Sequence, residues 1–135
     1  MKTITFFFLC CVLTSLCGCF EKNTSDPTET YTFWAGETPP KEVKIIHGKY
    51  WQSAHWSKEY EMYLELEASL IWRIQFVNQN QLVQTNAVEE IPSNAPGWFK
   101  PNSKSRIWTK ASSPQPAYYY EDTINGKFYM YEVQY

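Results

Sequence analysis

His47 and His55 are the chain's two histidines, and with Glu59 close behind they form the first set that could hold a metal ion. Zinc needs three or four ligands in tetrahedral array, and on a helix two of them commonly stand at i, i+4. Seven residues, Gly48 to Ala54, separate these histidines and no third ligand is fixed by position, so solvated or structurally bonded histidines are expected. Glu59, Glu61, Glu65 and Glu67 form a second set. Glycoside hydrolysis requires two carboxyls facing each other across a cleft. Carboxylates that alternate along one segment instead line one surface, which predicts a solvated face paired across a sheet with lysines. With no G-x-S-x-G, Cys–His pair or P-loop in the sequence, enzymatic activity is not expected.

Aromatics are the remaining chemistry. Trp34, Trp51, Trp56, Trp98 and Trp108 lie near polar or proline-rich segments, where exposed rings would make a binding face and buried ones a core. Two or three at most are expected to be functional. The surface expected to meet a partner comprises Glu59, Glu61, Glu65, Glu67, Trp56, Trp98 and Trp108.

The elements that must position these groups follow from periodicity. Val43 to Trp51 is rich in β-branched and aromatic residues, which predicts strand with a bend or bulge at Gly48. Tyr60, Met62, Leu64, Leu66 and Ala68 alternate with glutamates and Tyr63, a period of two that predicts a half-buried strand over 60–67. Its residue types also suit a helix, which competes. Ser69 can cap a helix in which Leu70, Ile71, Ile74 and Val77 share a face and Trp72 stacks on Phe76, ending in Asn78–Gln81. Alternation of Leu70, Trp72, Ile74 and Phe76 leaves a second strand open there. Pro92–Pro101 reads as an ordered loop pinned by Trp98 and Phe99, and Arg106–Thr109 as a short strand. Asn125-Gly126 between Tyr118–Tyr120 and Phe128–Tyr135 predicts a C-terminal β-hairpin with a type I′ turn. The expected fold is a small single α+β domain with an antiparallel sheet, one helix and that hairpin.

The N-terminus has a different character. Lys2 precedes an apolar run, Ile4 to Leu13, and no charge follows before Glu21. Such a run is shorter than the roughly 20 residues of a membrane span and fits a secretory signal peptide. Its end, Leu16-Cys17-Gly18-Cys19, resembles the lipobox of bacterial lipoproteins, with Leu16, Gly18 and Cys19 at the matching places and Cys17 where Ala, Ser or Thr is usual. The resemblance implies cleavage before Cys19 and a lipid anchor on it. Phe20 follows where Asp would signal inner-membrane retention, which implies an outer-membrane, periplasm-facing location in a Gram-negative host. Residues 1–18 are then signal peptide, 19–30 a flexible tether reaching about 35 Å, and 31–135 the globular domain. Trp98-Phe99-Lys100-Pro101, Trp108 and the tyrosine-rich end resemble the ends of small uncharacterised bacterial proteins, which implies no activity.

All four cysteines, at 10, 11, 17 and 19, fall in or beside this segment, so the domain must fold without disulfides. Of twelve Lys and Arg residues only Lys2 lies in it, leaving eleven against fourteen Asp and Glu. Without a basic cluster, nucleic acid is not an expected partner, and no cofactor is implied. The expectation is a lipid-anchored envelope protein carrying a non-catalytic protein-binding module of inhibitor or immunity type, with the acidic row as bait for a basic partner. A glycan- or peptidoglycan-binding module using exposed tryptophans, or a structural envelope component, are the alternatives.

Overall fold

Apolar alternation in three central segments builds the sheet. The computed structural model describes residues 20–87 and 90–135, and Cys19 with its lipobox lies outside them. Seven strands, β1 (Lys22–Thr24), β2 (Val43–Gln52), β3 (Tyr60–Ala68), β4 (Leu82–Thr85), β5 (Arg106–Lys110), β6 (Ala117–Glu121) and β7 (Lys127–Gln134), join in the order β1-β2-β3-β7-β6-β5-β4. Every pairing is antiparallel. Helices α1 (Pro27–Ala35) and α2 (Leu70–Gln79) contribute to the same core cluster. The α+β architecture with one antiparallel sheet is as expected, but the described residues hold two helices rather than one.

Period two divides β3 and β7 between two cores. Met62, Leu64, Leu66, Phe128 and Met130 pack with Tyr31, Phe76 and Tyr119 on the helical side. Tyr63, Tyr129, Tyr131 and Val133 pack on the other side around Phe99, whose ring meets Tyr63 edge-on at 5.1 Å. The proline-rich loop thus acts as a lid over the second face, as its aromatics predicted. Each face of the central strands is covered, which is how this domain buries enough apolar surface without disulfides.

Residues 20–30 are no tether. Asp26 caps α1 by accepting from the Glu29 amide at 2.7 Å, Pro27 occupies its first turn, and Gly36 ends it at φ +76°. Before it, Lys22, Asn23 and Thr24 pair with Gln52, Trp51 and Tyr50. The segment looks polar because α1 buries only Thr30 and Tyr31. Thr30 lies against Gly48, where a Cβ would come within 2.6 Å of the threonine side chain. Gly48 therefore serves helix–sheet contact, and the irregularity in β2 falls between Ile45 and His47 instead.

Two further differences are local. In α2 the inward side carries Arg73, Phe76 and Val77, with Trp72 stacked on Phe76 at 5.1 Å. Leu70, Ile71 and Ile74 face solvent. The hairpin forms, but Asp122 organises its turn by accepting from the Ile124 and Asn125 amides at 2.9 and 3.1 Å. Gly126 has φ +71° and Asn125 does not adopt positive φ, so the turn is not type I′.

Candidate binding cleft on the helical face

Glu61, Glu65 and Glu67 share one face of β3, with Glu59 just before the strand; lysines pair with Glu65 and Glu67 across the sheet as expected, but the face is not solvated throughout. Glu65 is only 3% exposed. It accepts from Lys127 at 2.7 Å, Tyr129 at 3.0 Å and His47 at 2.8 Å. Burial by itself would raise its carboxyl; the hydrogen bonds from Lys127, His47 and Tyr129 outweigh that and hold it below the ordinary glutamate range. His47 in turn stacks on Trp98 at 5.1 Å. Glu61 is held by the Tyr63 hydroxyl at 3.0 Å and Asn94 at 3.1 Å. Glu59 accepts from Ser57 at 3.3 Å, and Glu67 meets Lys44 at 3.9 Å in an exposed pair. Glu61 and Glu65 are held as acceptors within the fold, Glu59 and Glu67 keep exposed contacts, and Glu65 in particular is unavailable as bait.

The tryptophans also separate. Trp98 is fixed by His47 and Phe99, and Trp108 donates to Glu121 at 3.1 Å while packing on the helical core. Trp51 donates to Glu21 at 2.6 Å. Trp56, in the β2–β3 loop with His55, stands almost wholly in solvent. Only Trp56 of the expected partner surface is a free aromatic, and the seven residues do not form one patch. Among the described residues no three His, Cys, Asp or Glu side chains converge on a metal position.

The site the fold does build was not read from sequence. Glu132 falls in phase with Phe128 and Met130, so β7 carries a carboxylate on its helical face, where it is buried. It accepts from the Tyr119 hydroxyl, from Tyr60 at 2.8 Å and from Lys110 at 3.2 Å. Burial, with Glu132 beside them, pushes both phenols far above their ordinary range, so each stays a donor. Over this polar floor opens a cleft of about 450 Å³. Its walls include Tyr31 and Trp34 from α1 and Trp72 and Phe76 from α2, and Glu37, Gln75, Gln79 and Asn80 lie among them. The sequence signal for this cleft was a glutamate at an apolar phase position.

No family model, curated protein or solved structure matches this chain. Function must therefore be argued from the cleft itself. With three donors already on it, Glu132 is the shared acceptor that orients Lys110 and the two phenols. Partly buried Trp34 and Trp72 beside amide and carboxylate side chains offer aromatic and hydrogen-bonding groups of the kind that a neutral polyhydroxylated ligand takes.

Proposed function

We propose that this chain is an envelope lipoprotein, anchored by lipid on Cys19, whose domain is a non-catalytic module that takes a short saccharide in the helical-face cleft. One observation carries the ligand part: Trp34 and Trp72 line the same cleft as Gln75, Gln79 and the Lys110–Glu132 pair. The Leu16-Cys17-Gly18-Cys19 motif carries the anchoring part. Burial of Glu65 weighs against electrostatic capture of a basic protein by the acidic row.

Titration of the mature protein with a soluble peptidoglycan disaccharide, followed by tryptophan indole NMR signals, tests the ligand part. Saturable shifts in Trp34 and Trp72 that weaken several-fold in Lys110→Met and Gln79→Ala are expected. Absence of any saturable shift with peptidoglycan and neutral oligosaccharides alike would sink the saccharide reading.

A protein partner remains the second reading, favoured by the exposed Leu70, Ile71 and Ile74 on α2. An Ile71→Lys/Ile74→Lys variant separates the two. It should leave saccharide shifts unchanged and remove any envelope-protein complex formed through that face.

A further inference from the structure

Lys22, Gln52, Tyr60 and Gln134 lie side by side across β1, β2, β3 and β7. Beyond that line, at one end of the sheet, come Phe20 and Glu21, the β2–β3 loop 53–59, and Tyr135. The large aromatics that stand most open among the described residues are all here: Phe20 at 80% exposure, Trp56 at 95% and Tyr135 at 76%. Exposed large side chains elsewhere, such as Leu70, Ile71 and Ile124, are aliphatic. Ile124 sits in the hairpin at the opposite end of β7.

Cys19 directly precedes Phe20, and only three residue steps, about 10 Å of extended chain, separate it from the first strand residue, Lys22. A domain paired into its sheet that soon after a lipid anchor has no room to stand away from the bilayer. Its contact with the bilayer is made by the sheet end from which the anchor leaves. Tryptophan and tyrosine are the side chains that favour the headgroup layer, where the ring is apolar and its N–H or O–H stays wet. Trp56 has Lys58 two residues on, a cation of the kind that meets anionic headgroups.

We infer that this aromatic sheet end is a second membrane contact: Trp56, with Phe20 and Tyr135, enters the headgroup layer of the bilayer and fixes the orientation of the lipid-anchored domain. The inference rests on lipidation of Cys19. Its geometry is independent of the cleft and of what binds there.

The test uses the lipidated mature protein in phosphatidylethanolamine/phosphatidylglycerol vesicles containing lipids brominated near the headgroup. Mass spectrometry of the N-terminal peptide and vesicle flotation report the anchor separately. The brominated lipids should quench a distinct share of tryptophan emission in wild type, and Trp56→Ala should lose most of it. The exposure of Trp56 makes that variant harmless to folding, which its far-UV spectrum would check. Quenching that is absent, or equal in both proteins, with the protein still floating with vesicles, overturns the second contact and leaves the lipoprotein reading intact. An unmodified Cys19 and no flotation overturn both.

Discussion

Glu65 of β3 and Lys127 of β7 meet at 2.7 Å on a diagonal, since the register pairs Glu65 with Tyr129 and Lys127 with Glu67. This contact holds a buried carboxylate on the face lined by Trp98 and Phe99, and it gives the fold an acid-sensitive point. Because the folded carboxyl lies below its ordinary value of 4.5, the ionised form stabilises the native state above that value. The contribution is lost as pH falls through the folded pKa. Denaturant midpoints measured in steps from neutral pH downward should fall on the acid side, and Glu65→Gln should flatten that limb while lowering stability at pH 7. A variant with an unchanged acid limb would show that other groups carry it.

Glu132 makes a second prediction, this time on the helical face. Tyr119→Phe removes one donor and leaves Tyr60 and Lys110 on the carboxylate, a loss of about 1–2 kcal/mol. Glu132→Leu removes the acceptor for all three at once and should cost more, about 3 kcal/mol, because two phenols and an ammonium lose their partner. Urea denaturation of the two variants gives the order directly. An equal or smaller loss in Glu132→Leu would mean that solvent in the cleft replaces the carboxylate.

What the sequence made legible was what repeats. The two-residue period of 60–68, the Ser69 cap and the Asn-Gly hairpin all declare themselves through neighbouring residues, and all three elements form. Non-local partners were hidden. The first turn of α1 reads as polar because what it sets against the sheet is Thr30 on Gly48 of β2, while the rings that reach the core, Tyr31, Phe33 and Trp34, come only in its second half. Alternation separated the carboxylates from the apolar side of β3, but whether that second face met water depended on a loop 30 or more positions away, where Trp98 and Phe99 sit. The same limit concealed the cleft: Tyr60, Lys110 and Glu132 become neighbours only through strand order.

Gly48→Ala probes the helix that the polar segment conceals. The new methyl would lie 2.6 Å from both Cβ and Oγ1 of Thr30 and 3.0 Å from the Pro27 backbone. Backbone on one side and a fully buried side chain on the other leave α1 to shift as a body, so a loss of about 1–3 kcal/mol is expected. Hydrogen exchange should locate it, with faster exchange in α1 and β1 while β6 and β7 keep their protection. Uniform loss of protection would mean that α1 does not move separately from the sheet.

Arg73 and Glu121 are both buried and meet at 3.0 Å, and Glu121 also accepts from the Trp108 indole at 3.1 Å. Such a pair contributes little against an apolar replacement of similar shape, yet breaking it from one side strands a charge. Arg73→Met should therefore cost about 3–5 kcal/mol, since Glu121 would remain buried with only the indole to satisfy it. In Arg73→Met/Glu121→Gln the charge is gone, the amide oxygen still accepts from Trp108, and most of that loss should return. Thermal unfolding of the two single variants and the double completes the cycle, whose coupling term reports the pair itself. If the losses simply add, the guanidinium stabilises the fold by packing between α2 and the sheet, and its charge is incidental.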